Sequence, residues 1–230
     1  MLPQLILIPG LLNDADLFRD QITGLSGMAR PVVADITGGD TLAALAQGVL
    51  ALAEDRFALA GFSLGGIVAQ EIMRIAPDRV THLALMDTTM LRDGDDRAAE
   101  RQRLIAIARN PGKFHGFGEK LLETYLAPQN LSNPGMAARV RGMTERLGPE
   151  VFVRQSLIDR PDSRATLRGL GCPVLVLCGA HDALTPPALH RDMAIDIPRS
   201  QLVIVPDAGH LTPIEQPEAV TAALRQLLSR

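Results

Sequence analysis

Short apolar runs rich in β-branched residues alternate with segments of helical periodicity along most of this chain. This alternation is typical of a parallel sheet that is covered by helices on both faces. The candidate strands are residues 5–8, 31–36, 56–60, 80–86, 173–177 and 201–205. The sequence therefore predicts an α/β fold with a mostly parallel, doubly wound sheet of about six strands.

Two helices are predicted between these strands. Asp40 and Thr41 can cap a helix whose apolar residues recur at helical spacing from Leu42 to Ala53. A second helical pattern covers residues 65–76 and stops at Pro77.

Residues 91–164 carry polar helical patterns without strand signals, broken at residues 110–112, 127–128, 133–135 and 148–149. We interpret this segment as a helical lid inserted into one domain, whose core comprises residues 1–90 and 165–230. The segment has 13 Lys or Arg and 10 Asp or Glu, a net charge of +3 against −6 for the rest. Solvated helix faces explain this excess more simply than an entrance that attracts anions.

Charge and hydropathy argue against two classes of partner. The net charge is −3 and the chain has no long basic run, so a nucleic-acid-binding surface is not expected. The apolar run at residues 5–8 is interrupted by Pro9 and Gly10, and no run approaches the ~18 apolar residues of a membrane helix. We expect a cytoplasmic protein without a membrane span.

The two cysteines, Cys172 and Cys178, flank one predicted strand. At ~3.3 Å per residue they would lie roughly 20 Å apart, too far for a disulfide. Neither has a Cys or His at ligand spacing, so no metal site is predicted.

Ser63 lies in the sequence Gly61-Phe62-Ser63-Leu64-Gly65, between a predicted strand and a predicted helix. A serine hydroxyl becomes an effective nucleophile when it projects clear of its neighbours and a base takes its proton. A sharp strand-to-helix turn gives that exposure, and small flanking residues such as Gly61 and Gly65 allow strand and helix to approach. The pattern predicts that Ser63 is a nucleophile.

A base for Ser63 must come from the histidines, which are His82, His115, His181, His190 and His210. His210 follows the last predicted strand on a loop at the carboxyl end of the sheet, where parallel sheets place their chemistry. The sequence assigns His82 to a strand, His115 to the lid and His190 to the surface of a helix. His210 is therefore the predicted base.

Three carboxylates compete to orient the His210 imidazole. Asp182 follows the strand at residues 173–177 and precedes a predicted helix, Asp87 follows the strand at residues 80–86, and Asp207 lies three residues before the histidine. The sequence favours Asp182 and retains Asp87 as the alternative, whereas Asp207 fits a turn. Ser, Asp and His then follow one another along the chain in the order of α/β-hydrolases.

The chain resembles the compact bacterial α/β-hydrolases over nearly its whole length. The resemblance is carried by residues 5–12, the turn at Ser63, residues 160–163, residues 179–182 and the pair Gly209-His210. Two features depart from it. Pro9 stands where many relatives have a histidine, and the first two strands of the family sheet are not expected here.

Two backbone N–H groups are predicted to bind the oxyanion that forms when an ester is attacked. The residue after the nucleophile, Leu64, is one donor. The resemblance implies Leu11 as the other, with Leu12 as the alternative because the register of the loop at residues 9–12 is ambiguous. No metal and no organic cofactor are expected.

The expected activity is hydrolysis of a small carboxylic ester or thioester, with a small-molecule acyl substrate as the partner. The same three side chains also serve carbon–carbon bond hydrolases, lactonases, acyltransferases and menaquinone-pathway lyases, and the fold also occurs in non-catalytic receptors for small ligands. Leu12 and Arg154 are candidate substrate contacts. A carboxylate-binding set and a structural lid tie are alternative interpretations of the polar residues Arg154, Gln155, Arg160, Asp162 and Arg164. The oligomeric state is not predicted.

Overall fold

The computed structural model describes residues 2–110 and 119–230 and contains a six-stranded sheet. All neighbouring strands are parallel, in the order β2-β1-β3-β4-β5-β6, which confirms the predicted α/β architecture. The strands are β1 (Gln4–Ile8), β2 (Arg30–Val33), β3 (Phe57–Phe62), β4 (Val80–Met86), β5 (Val174–Gly179) and β6 (Ser200–Val205).

Ten α-helices are present in the described part of the chain. They are α1 (Arg19–Leu25), α2 (Leu42–Leu52), α3 (Leu64–Ile75), α4 (Asp95–Ala108), α5 (Glu119–Tyr125), α6 (Pro134–Leu157), α7 (Arg164–Arg168), α8 (Pro187–Asp196), α9 (Thr212–Glu215) and α10 (Pro217–Leu228). Within these ranges, no helix is both long and apolar enough to cross a membrane.

Side chains of each central strand alternate between two buried apolar layers. In β1, for example, Leu5 and Leu7 belong to one layer, and Ile6 and Ile8 belong to the other. Helices α2, α3, α7 and α8 cover the second layer, whereas α1, α4, α5, α6, α9 and α10 cover the first. Each fully buried Leu or Ile stabilises the fold by ~1.5–3 kcal/mol, so neither face of the sheet can be left uncovered.

The strand order reverses between β1 and β3. From β1 the chain passes outward to β2, then returns to the other side of β1 and continues from β3 to β6. The loops that follow β1 and β3 therefore start beside each other at the carboxyl edge of the sheet. Such switch points are where open α/β sheets form crevices for ligands.

Helices α4, α5 and α6 form an insert between β4 and β5. Asn133 caps the start of α6 with its side-chain oxygen, and Gly148, with φ of 74°, kinks this helix where the sequence predicts a break. The Ser163 N–H donates to the Met90 carbonyl at 2.8 Å and so joins the two ends of the insert. The predicted break at residues 110–112 extends beyond the described residues.

Candidate active site

Ser63 occupies a strained turn between β3 and α3. Its backbone has φ of 51° and ψ of −115°, a region that residues with a side chain rarely adopt. The Ser63 N–H donates to the Met86 carbonyl at 2.9 Å, and its own carbonyl accepts from the Thr88 hydroxyl at 2.8 Å. These contacts hold the turn, and they leave the side-chain oxygen facing the crevice.

The two glycines of the predicted turn are required by close backbone contacts. A Cβ atom at Gly61 would lie 2.4 Å from the Gly65 carbonyl oxygen, and one at Gly65 would lie 2.2 Å from the Ile8 carbonyl oxygen. Both distances are far below van der Waals contact, and the obstructing atoms are backbone. Glycine at these positions therefore lets α3 begin directly against the end of β1.

His210 lies on the loop between β6 and α9, and it is almost completely buried. Its Nε2 atom is 2.9 Å from Ser63 Oγ, although the two residues are 147 positions apart. The rings of Phe62 and Tyr125 flank the imidazole, with centroids 5.3 and 5.4 Å away. The His210 N–H also donates to the Tyr125 carbonyl at 2.8 Å, so the end of α5 fixes the loop.

Asp182 follows β5 and contacts the other nitrogen of the imidazole. Its Oδ2 atom is 2.9 Å from His210 Nδ1 and also accepts from the Thr185 hydroxyl at 2.7 Å. The N–H groups of Leu184 and Thr185 donate to Oδ1 at 2.8 and 2.9 Å. Burial disfavours the charged carboxylate, but the charge and hydrogen bond of His210 and the bonds from Thr185 outweigh it and lower the pKa of Asp182.

Asp87, the alternative acid, is fully buried beside this pair. Its carboxyl group accepts from the Gly179 N–H at 3.1 Å and from the Thr212 hydroxyl. Burial and the nearby charge of Asp182 raise the pKa of Asp87 well above its ordinary value, which favours its neutral form. Asp207 lies in a turn with φ of 56°, as its position before His210 predicts.

Asp87, Asp182 and His210 bring potential metal-ligand atoms within 4.8 Å of one another. Hydrogen bonds already engage these atoms: His210 Nδ1 with Asp182, and the Asp87 oxygens with Gly179 and Thr212. A cation would have to replace these bonds. We therefore interpret the three residues as a hydrogen-bonded network.

The two predicted oxyanion donors face the same crevice. Leu64 is the first residue of α3, so its N–H is not used by the hydrogen bonds within that helix. Leu11 lines the crevice, whereas the Leu12 N–H donates to Gln155 Oε1 at 2.8 Å in the interior. The Leu12 amide is thus occupied, and of the two alternatives only Leu11 is among the residues that line the crevice.

A crevice of about 230 Å³ opens beside Ser63 and His210. Apolar and charged residues from both the core and the insert line the crevice. The apolar residues are Leu11, Leu64, Ile67, Leu104, Tyr125, Phe152 and Leu184. Charged residues of the insert, including Arg160, also line it.

The two candidate substrate contacts lie away from this crevice. The Leu12 side chain is fully buried in the apolar layer that includes Leu5 and Leu7. Arg154 donates to the Thr37 carbonyl at 2.5 Å and pairs with Asp40, because its helix presents it to the loop after β2. Neither residue is therefore among those that line the crevice.

The set of polar residues around the exit of the insert does not form one group. Gln155 is buried against the Leu12 amide and the Ile36 carbonyl. Arg164 pairs with Asp162 on the surface. Only Arg160 lines the crevice, and its bonds are to carbonyls of its own segment rather than to Asp162.

The assignment of His190 to a helix surface is wrong. The side chain is fully buried under the site, where Nε2 accepts from the Thr88 N–H at 3.1 Å and Nδ1 contacts the Pro186 carbonyl at 3.3 Å. Burial lowers the pKa of His190 to about 4. Of the other histidines, His82 lies in β4 and His115 lies outside the described residues.

Replacing His190 by glutamine should reduce the acid sensitivity of the fold. In the unfolded chain this imidazole is protonated near its ordinary pKa of 6.5, whereas in the folded protein it is protonated only near a pKa of about 4. Between these values the unfolded state binds the extra proton, so the stability from this group falls as the pH falls. Between about pH 7.5 and about pH 4.5, we expect the free energy of unfolding of wild type to fall by about 2 kcal/mol more than that of His190→Gln.

Urea denaturation of both proteins at the two pH values measures this difference. Glutamine can still accept from the Thr88 N–H, so the variant should fold. Equal losses in the two proteins would show that His190 is not held neutral.

Glu215 is a buried residue of the site that the sequence reasoning did not consider. One carboxylate oxygen accepts from the N–H groups of Gly209 and Leu211 at 2.9 and 3.2 Å. The other accepts from the Ala127 N–H at 2.7 Å and the Asn130 side chain at 2.8 Å. Glu215 therefore joins the His210 loop to the insert by hydrogen bonds. An acidic residue among apolar residues, five positions after His210, was the feature of the sequence that could have indicated this role.

Comparison with known proteins places the chain in a family. The alpha/beta hydrolase family model matches residues 12–223. A pimeloyl-(acyl-carrier protein) methyl ester esterase of Neisseria meningitidis serogroup B is 28% identical over 192 residues, covering 81% of this chain and 74% of that protein.

Solved structures agree with this match. A thermophilic esterase from Thermogutta terrifontis, with malate bound, has a TM-score of 0.86 and 32% identity, covering 100% of this chain and 90% of that one. An enol-lactonase from Burkholderia xenovorans has a TM-score of 0.89 over 100% of this chain and 92% of that one, and its 24% identity shows the fold alone. The protein belongs to the alpha/beta hydrolase family.

Proposed function

We propose that this protein hydrolyses small carboxylic esters or thioesters through an acyl-enzyme on Ser63. The observation that carries the proposal is a continuous chain of two hydrogen bonds, from Ser63 Oγ to His210 Nε2 and from His210 Nδ1 to Asp182, each 2.9 Å long. With Nδ1 donating to the carboxylate, Nε2 keeps its lone pair and can accept the serine proton.

In the proposed mechanism, Ser63 Oγ attacks the ester carbon while His210 Nε2 takes its proton. Asp182 stabilises the resulting imidazolium, and the N–H groups of Leu11 and Leu64 bind the oxyanion. The tetrahedral intermediate collapses as His210 gives its proton to the leaving alcohol or thiol. Water then attacks the acyl-enzyme, His210 takes the proton of this water, and the acid is released as Ser63 recovers its proton.

Two further features support a small substrate. The crevice volume of about 230 Å³ is below the ~300–1,000 Å³ that is usual for drug-sized ligands. The apolar residues near Ser63 suit the hydrocarbon part of an acyl group. The names of the two esterases reported above agree with ester chemistry.

Labelling with a fluorophosphonate tests the nucleophile. An activated serine attacks this reagent at phosphorus. Fluoride leaves the phosphorus, and the phosphonyl group stays bound to the serine oxygen. We expect one adduct, which peptide mass spectrometry should locate on Ser63, and we expect His210→Ala to slow its formation strongly. Heat-denatured protein is the matched control and should remain unlabelled. An unlabelled native protein, or an adduct on another residue, would overturn the proposal.

A further inference from the structure

Arg160 places a cation in the lining of the crevice that also contains Ser63 and His210. The residue follows α6, and its guanidinium donates to the carbonyls of Gln155, Ser156 and Ile158. The bonds to Gln155 and Ser156 are both 3.4 Å long and therefore weak. Three bonds leave two of the five guanidinium N–H donors for another acceptor.

No carboxylate of the described residues lies within ion-pair distance of Arg160. The nearby acid, Asp93, is already paired with Arg101. Neutral carbonyls satisfy hydrogen bonds but do not cancel a full charge, and partly buried cations are normally paired. Loss of water on burial, with repulsion from Arg101, lowers the pKa of Arg160 to about 10. An anion beside this guanidinium would relieve both effects.

Ser156 gives an independent indication at the same position. The residue is 3% exposed, it is among those that line the crevice, and its carbonyl accepts from Arg160, yet its buried hydroxyl has no hydrogen-bond partner among the described residues. A buried polar group without a partner costs ~1–3 kcal/mol. A hydroxyl donor beside a guanidinium is a suitable pair for a carboxylate, which can accept from both.

We propose that Arg160 and Ser156 bind a carboxylate group of the substrate, so that the preferred substrate is a small ester that also carries a carboxylate. This inference rests on the proposed ester hydrolysis at Ser63. Arg97 and Arg101 line the same crevice as Asp93 and Glu100, and together with Arg160 these side chains give its lining a net charge of +1. The carboxylate belongs either to the acyl part, as in a half-ester of a dicarboxylic acid, or to the alcohol part.

Matched pairs of esters distinguish these two positions. For the acyl part, monomethyl adipate is compared with methyl hexanoate. For the alcohol part, 4-acetoxybutanoate is compared with butyl acetate. We expect wild type to prefer the charged member of one pair by at least about tenfold in kcat/KM, measured from acid release by liquid chromatography. Equal turnover of charged and neutral members in both pairs would overturn the inference.

Variants assign the preference to the two residues. Arg160→Gln should reduce the charged-to-neutral ratio by about 10- to 100-fold, and Ser156→Ala should reduce it several-fold. Because each ratio is measured on one protein, a general loss of activity cancels. Arg164→Gln is the matched control, since Arg164 is exposed and pairs with Asp162. If Arg160→Gln and Ser156→Ala both retain the wild-type ratio, the site is wrongly assigned.

Direct binding separates this inference from the proposed function. In isothermal titration calorimetry, adipate should bind to wild type. It should bind more weakly to Arg160→Gln and with the wild-type affinity to Arg164→Gln. Binding with this pattern but without ester turnover would support the anion site and reject the esterase. Ester turnover without adipate binding and without a charge preference would support the esterase and reject the anion site. Ser156→Ala removes no contact that holds the fold, so it tests the site even if Arg160→Gln fails to fold.

Discussion

Ser63→Ala should lower kcat/KM for a short-chain nitrophenyl ester by about four orders of magnitude or more. The alanine variant has no oxygen to form the acyl-enzyme, and it retains only the rate acceleration that the oxyanion donors and the crevice provide. Release of nitrophenol, followed by absorbance, measures the effect. Turnover within about tenfold of wild type would contradict a role for Ser63 as the nucleophile.

His210→Ala and the double variant are the matched comparisons. If Ser63 and His210 act as one unit, each single substitution removes nearly all of their contribution to kcat/KM. The double variant should then have a kcat/KM only slightly below that of either single variant. Thermal unfolding of Ser63→Ala should remain close to that of wild type, because the Ser63 hydroxyl contacts only His210 in the described structure. The loss of activity would then be chemical rather than structural.

Most of the sheet could be predicted from the sequence because strand periodicity is a local signal. The prediction for β4 agrees at both ends. The prediction for β3 stops two residues early, because Gly61 and Phe62 continue the pairing with Leu85 and Met86. The prediction for β2 extends too far, because this edge strand has β1 as its only neighbour and pairing ends at Val33.

The proximity of Ser63, Asp182 and His210 could also be anticipated. Each residue follows the carboxyl end of a predicted strand, and in a parallel sheet these ends share one edge. Only the identity of the acid was open, since Asp87 meets the same condition. The contacts in the structure favour Asp182: its carboxylate contacts the imidazole, whereas the carboxyl group of Asp87 contacts Gly179 and Thr212.

The remaining contacts of the site depend on how distant segments meet. His190 and Thr88 are 102 residues apart, and Gln155 and Leu12 are 143 residues apart. Helical periodicity indicates that the insert has apolar faces, but it does not say which turn of α6 lies over the loop after β1. The sequence therefore left Arg154, Gln155 and Arg160 as one set, which the structure separates.

The choice between the two buried acids gives the last prediction. Asp182→Asn should reduce kcat/KM for the same ester by about 10³- to 10⁴-fold, because an amide neither holds the productive imidazole tautomer nor stabilises its positive charge. Asp87→Asn should reduce it by less than about tenfold. Burial raises the pKa of the Asp87 carboxyl and favours its neutral form, and an amide of the same shape can accept from Gly179 and donate to Thr212.

This pair of variants is matched in chemistry and burial. Each replaces a buried carboxyl by its amide, and both carboxyls lie within 4.8 Å of the imidazole nitrogen. A general disturbance of the site would lower both activities similarly, whereas a specific acid gives the unequal result. The opposite pattern, with activity lost in Asp87→Asn and retained in Asp182→Asn, would transfer the orienting role to Asp87.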